Sequence, residues 1–219
     1  MGVNRVRSSA GLHERPAADQ AARHACATLR RVSTALSSVY HLTYEDWLAT
    51  ADDGVMREII EGELHVVPPP NLEHQRISRK IEVRLDAYLG TTRSGEVFDA
   101  PVGLKLSDHD ILEPDLLVVL QEGCARLEAS AVFGPADLVV EILSPGSAKR
   151  DVGLKRRVYE AGGVREYWIV DPIAKRIEVL SLRSGAYVSD AVHDLDGTLT
   201  SPVLPGFALV LRDVFGAAT

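Results

Sequence analysis

Apolar and polar positions divide the chain into two regimes. Up to residue 38 large aliphatics are few and aromatics absent, so that stretch offers little to a core. Ala17–Leu36 has alanine-rich helix propensity but only a thin apolar face. From Val39 the pattern becomes that of a folded domain. Thr43, with Asp46 three residues on, predicts a short capped helix that buries Trp47 and Leu48. Met56–Val67, reading MREIIEGELHVV, predicts a β-hairpin turning at Glu61-Gly62, with prolines 68–70 stopping its second strand. Ile77, Ile81, Leu85 and Leu89 recur at every fourth position and predict an amphipathic helix over Glu73–Leu89, with Gly90 as its stop.

Three strand-like segments follow: Glu96–Leu106, Glu113–Leu120 and Asp137–Leu143. The first alternates, whereas the interiors of the other two (LLVVL, LVVEIL) are nearly all apolar, as strands covered on both faces require. Pro145-Gly146 breaks the third strand, and a second helix is expected over Asp151–Ala161, ending at Gly162-Gly163. Glu166–Val170 and Arg176–Leu180 read as further strands around an Asp171-Pro172 turn, and the tail closes on an apolar run, Phe207–Leu211. This order predicts an α/β (α+β) sandwich, a mixed β-sheet flanked by helices and preceded by a hairpin.

Composition adds compartment and charge. Among 219 residues the net charge is −7, from 31 acids against 24 Lys and Arg. Residues 1–38 hold six arginines against two acids, so they form a basic N-terminal extension, and the domain over 39–219 carries the acidity. Cys26 and Cys124 stand in no metal or disulfide spacing, which fits a reducing, cytoplasmic setting. The longest apolar run is strand-sized, so no membrane span is expected. Apolar strands near the C-terminus are compatible with a homodimer.

Two acids interrupt the apolar strands. Glu141 lies inside LVVEIL, and Asp115 follows Pro114 at the head of LLVVL. A carboxylate on a central strand is costly unless paired or bound to a cation. Two on neighbouring strands would make an oxygen-rich site suited to Mg²⁺ or Mn²⁺. Asp151, Lys155 and Tyr159 recur at helical spacing on one face, either as a plain ion-paired surface or as an ammonium aimed at that site. Tyr159 reads as a packing residue with a polar tip.

Several segments together resemble the Uma family, endonucleases of the restriction-endonuclease-like PD-(D/E)XK superfamily. They are LTYEDWLA, REIIEGELHVVPPPNLEHQRI, LEPDLLVV, PADLVVEILSPGSAKRDVGLKRRVYEAGGVREYWIVDP and LTSPVLPGFAL. The resemblance implies a restriction-endonuclease-like core, with Asp115 and Glu141 as the catalytic, metal-binding acids. The superfamily's lysine lies two residues beyond the second acid, a position held here by Leu143. The resemblance offers Lys155, on the following helix, as a migrated replacement. Glu58, Glu63 and His74 fall in matching segments and are candidate accessory groups, and Asp151 would steady Lys155.

The implied activity is hydrolysis of phosphodiester bonds in nucleic acid, with DNA favoured. The segment SAKRDVGLKRR, with Lys149, Arg150 and Arg156, and the first long helix, with Arg76, Arg79, Lys80 and Arg84, supply cations for phosphate contact. The alternative is a catalytically inactive nucleic-acid-binding or regulatory module on the same fold, which the missing strand lysine favours.

Overall fold

The computed structural model describes Met1 and residues 40–50, 53–144 and 151–216, with only the backbone of Asp151. The basic extension over 1–38, apart from Met1, and the Pro145-Gly146 break lie outside the described residues. The chain divides into two units, Met1–Tyr40 and His41–Thr219, and the fold below belongs to the second.

Helix α1 (Tyr44–Leu48) starts with the expected cap, in which Thr43 and Asp46 each bond the other's backbone N–H. Strands β1 (Arg57–Ile60) and β2 (Glu63–Val66) form the hairpin. Both turn residues take positive φ, Glu61 at 54° and Gly62 at 80°, the backbone twist that two-residue hairpins favour. Gly62 has a second constraint, because a Cβ there would lie 2.4 Å from His41 Nδ1.

Helix α2 (Leu72–Thr92) is longer than its sequence pattern indicates. Asn71 caps its start, and it runs through Gly90 to end at Arg93, which is left-handed at φ 54°. Gly90 lowers helix propensity by only about 1 kcal/mol, less than burial of the neighbouring Leu89 contributes.

The predicted strand over Glu96–Leu106 is two strands, β3 (Gly95–Asp99) and β4 (Gly103–Ser107), in different sheets. Pro101 has no N–H to give a ladder, and the chain changes sheet there. Then come β5 (Asp110–Leu112), β6 (Leu116–Leu120), β7 (Arg126–Leu127), β8 (Ala131–Phe133) and β9 (Leu138–Ile142). The second predicted helix opens as a π-helical turn (Asp151–Lys155) and becomes α-helical only in α3 (Arg156–Gly162). The chain closes with β10 (Glu166–Asp171), β11 (Arg176–Arg183), β12 (Ala186–His193), β13 (Thr198–Thr200), β14 (Ala208–Val210) and α4 (Leu211–Phe215). The apolar run Phe207–Leu211 is thus a short strand leading into a helix.

Two six-stranded sheets result, ordered β2-β1-β5-β4-β8-β7 and β12-β11-β10-β9-β6-β3, with β13-β14 as a separate pair. In the second sheet β9 and β10 are parallel and the other neighbours antiparallel, so it is the mixed sheet expected. Alternation along β6 sends Leu116 and Val118 to one core and Leu117 and Val119 to another. The first core packs α2 and the C-terminal elements on the sheet, and the second packs α3 and the hairpin sheet on its other face. Among the described residues no helix is long and apolar enough to cross a membrane.

Leu85, fully buried between α2 and the sheet, reports on the first core. Leu85→Ala should cost about 2–5 kcal/mol in urea denaturation; a loss under 1 kcal/mol would mean that α2 is not packed as described.

Candidate active site

Glu141 is the fourth residue of β9, and alternation places it with Val139 on the face covered by α3. That cover has a topological cause. Parallel strands β9 and β10 require a crossover, and its helix packs back on the sheet. Lys155 ends the π-turn of this crossover and Tyr159 lies four residues on. Lys155 Nζ is 2.8 Å from Glu141 Oε1, and the Tyr159 hydroxyl donates to the same oxygen at 2.6 Å.

The ammonium has a second carboxylate. Glu58 arrives from β1 and places Oε1 2.7 Å from Lys155 Nζ. The same oxygen accepts the Glu113 backbone N–H at 3.0 Å. Glu58, Glu141 and Lys155 are 0%, 3% and 2% exposed, so the three charges share one water-poor space. Each alone would cost several kcal/mol to bury, and mutual pairing is what permits it. Burial, reinforced by the charges of Glu141 and Glu58, holds the Tyr159 phenol well above its ordinary range, so it stays a donor.

Glu113 adjoins this cluster from the segment between β5 and β6. Its buried Oε2 has no hydrogen-bond partner among the described residues, and burial, then the Glu58 charge, push its carboxyl up to about 7. Two residues on, Asp115 continues the β6–β9 register one step beyond Leu116↔Val140 and so falls opposite Glu141. Its Oδ2 accepts the Ile142 backbone N–H at 2.7 Å and lies 3.1 Å from His74 Nε2. Both contacts use Oδ2, so Oδ1 keeps its lone pairs clear of them. His74 stands in the first turn of α2, where Asn71 Oδ1 accepts its backbone N–H at 2.9 Å.

Glu58 and Glu141 thus share one ammonium, Glu113 feels the Glu58 charge, and Asp115 meets one imidazole. Asp115 and Glu141 offer hard oxygen donors of the kind Mg²⁺ and Mn²⁺ take. Among the described residues no group of three or more His, Cys, Asp or Glu side chains is placed to hold a metal ion.

Other sequence candidates lie elsewhere. Glu63 is exposed on the edge strand β2. Lys80 Nζ donates to the carbonyls of Val214 and Gly216, and Arg84 pairs with Asp213, so both secure α4. Arg156 donates to the Tyr187 carbonyl at 3.4 Å. Arg76 and Arg79 are exposed on α2. Lys149, Arg150 and the Asp151 side chain lie outside the described residues. The sequence reading passed over Glu113 and gave Tyr159 only a packing role. Glu113 did leave a signal, an acid beside Pro114 at the head of an apolar strand, whereas Tyr159 left none beyond its spacing from Lys155.

The buried charges can be tested by their stability. Lys155→Met should cost about 3–5 kcal/mol in metal-free denaturation, because two buried carboxylates lose their counter-charge. Tyr159→Phe should cost about 1.5–3 kcal/mol. Adding Glu58→Gln and Glu141→Gln to Lys155→Met should recover part of the loss; if the triple variant is less stable than the single one, charge compensation is not what holds the cluster.

Comparison with known proteins gives a family and a fold. The family model Uma2, described as "Putative restriction endonuclease", matches residues 42–212. A solved structure from Anabaena variabilis, described as "a putative nuclease belonging to DUF820", superposes with a TM-score of 0.67 at 21% identity, covering 80% of this chain and 97% of that one. At that identity the likeness shows the fold, which is restriction-endonuclease-like. None of the curated proteins matches. With the family model spanning almost all of the folded domain, the chain belongs to the Uma2 family of "Putative restriction endonuclease" proteins.

Proposed function

We propose that this protein hydrolyses phosphodiester bonds in DNA in the cytoplasm, using Mg²⁺ or Mn²⁺ held by Asp115 and Glu141, with Lys155 as the migrated catalytic lysine. One observation carries the reading: an ammonium from the crossover lies 2.8 Å from the carboxylate of the strand acid, although Leu143 occupies the usual lysine position. When bound, the cation would acidify a water and stabilise charge on the scissile phosphate. Lys155 and Tyr159 fix the rotation of Glu141 by donating to one of its oxygens. His74 and the Ile142 N–H do the same for Asp115 through Oδ2, which would leave Oδ1 to a cation. Glu58 shares the ammonium with Glu141, and that ammonium would offset charge developing on the scissile phosphate. Arg156, Lys149 and Arg150 would contribute phosphate contacts beside the crossover.

A second reading, a catalytically inactive binding or regulatory module, draws on the same ion pair. Lys155 is engaged by two carboxylates, and no lysine stands on the strand.

Plasmid cleavage with Mg²⁺ or Mn²⁺ separates the two. Asp115→Asn and Glu141→Gln should each lower the cleavage rate by about a hundredfold or more while the fold persists by circular dichroism. Equal cleavage by wild type and both variants would remove these residues from the chemistry, and no cleavage by any protein would favour the binding module. Lys155→Ala, checked for folding in the same way, tests the lysine: loss with Glu141→Gln but not with Lys155→Ala keeps the metal site and rejects the migrated lysine.

A further inference from the structure

Along the outer side of α2 runs a groove of about 870 Å³, walled opposite by β14 and α4. Its floor includes the apolar side chains of Val83, Leu209, Val214 and Phe215, and its cations come from α2. Two of those cations are already used. Lys80 Nζ donates to the carbonyls of Val214 at 3.1 Å and Gly216 at 2.9 Å, and Arg84 lies 2.8 Å from Asp213. These bonds hold α4 in place, so Lys80 and Arg84 build the wall. Arg76 and Arg79 also line the groove, and neither makes a hydrogen bond or ion pair to another described residue. With Asp213 neutralised by Arg84, the two guanidinium groups outweigh Glu73, the other acid in the lining.

The groove begins beside the candidate active site. Glu73 lines its end, and the next residue is His74, whose ring contacts Asp115. Arg76 and Arg79 lie two and five residues beyond His74, a rise of roughly 3 and 7.5 Å along the helix. A polyanion leaving Asp115 along α2 therefore meets these two cations in succession.

We propose that the groove holds a single-stranded flank of the nucleic-acid substrate, with Arg76 and Arg79 on its phosphates and its bases against the apolar floor; this rests on the phosphodiesterase reading above. Charge complementarity selects a polyanion. The apolar, concave floor selects a single strand, because a duplex keeps its bases stacked and paired inside, whereas an unpaired strand can turn them into a groove. Phe215 supplies an aromatic surface there, and Val83, 56% exposed, supplies an aliphatic one. The enzyme would then favour DNA with an unpaired segment next to the cleaved bond over a continuous duplex.

The test is fluorescence anisotropy of the full chain with a labelled single-stranded DNA and the matching duplex, in EDTA so that nothing is cut. For the single strand, Arg76→Ala/Arg79→Ala should reduce the steepness of log K against log salt by about 1.4, that is about 0.7 for each lost phosphate contact. The duplex should change less, and Arg126→Ala, an exposed control on β7, should leave both unaltered. Val83→Glu, at an exposed position, should weaken single-strand binding at least tenfold without moving the melting temperature. An unchanged slope in the double variant, or an equal loss for duplex, would overturn the proposal. So would Val83→Glu that alters the sedimentation mass and leaves DNA affinity intact, since the groove would then serve a second copy of the chain. Binding as expected without any Mg²⁺- or Mn²⁺-dependent cleavage would keep the groove and reject the hydrolase reading; metal-dependent cleavage with an unchanged slope would do the reverse.

Discussion

Lys155 stands between Glu58 and Glu141 in a space with almost no water, and most of the architecture serves to bring those three groups together. They come from β1, β9 and the β9–β10 crossover. A buried carboxylate on a central strand can be accommodated by a cation, by several hydrogen-bond donors or by protonation. Glu141 has the first, aided by the Tyr159 hydroxyl. Glu166, on the adjacent β10, has the second: its oxygens accept from Trp168 Nε1, Ser201 Oγ and the Val203 N–H, which ties the C-terminal segment to the sheet. Glu113 approaches the third, with a carboxyl raised to about 7 and one oxygen lacking a hydrogen bond among the described residues. Three nearby acids thus meet the same cost in three ways, and the two that lack a full set of neutral donors adjoin the candidate site.

The three acids differ in what satisfies them more than in how deeply they are buried. Glu166 is saturated by neutral donors, so a cation would gain little there. Around Glu141 and Asp115 the carboxyl groups outnumber the cations, and the local field is unfavourable until more positive charge arrives. Under the proposed function, that shortfall of positive charge is what a divalent ion would offset. The fold also bears on where the lysine comes from. A crossover helix packed on the β9 face can deliver an ammonium to Glu141 as directly as a residue on the strand could, which leaves Leu143 without that task.

Net charge is a poor guide to partners in such a molecule. The total of −7 includes acids such as Glu58 and Glu141 that are buried and paired, and they present little to a nucleic acid. Cations that look alike on a helical wheel also divide by what they touch. Lys80 and Arg84 are committed to α4, whereas Arg76 and Arg79 face the groove.

The sequence alone determined the hairpin, the amphipathic α2, the central apolar strands and the two acids embedded in them. Each rests on local periodicity or on turn chemistry, which neighbours along the chain set. It misplaced the break at Pro101 and the end of α2, where tertiary packing outweighed a local signal. Tertiary structure alone decided which acids matter together. EYWIV and LVVEI look alike as strands carrying one glutamate, and only the partners supplied by distant segments distinguish Glu166 from Glu141. Likewise only the crossover brings Lys155 to Glu141, and only the register between β6 and β9 sets Asp115 opposite it. Electrostatic cost depends on what surrounds a charge in space, and that environment is built by contacts that sequence spacing does not encode.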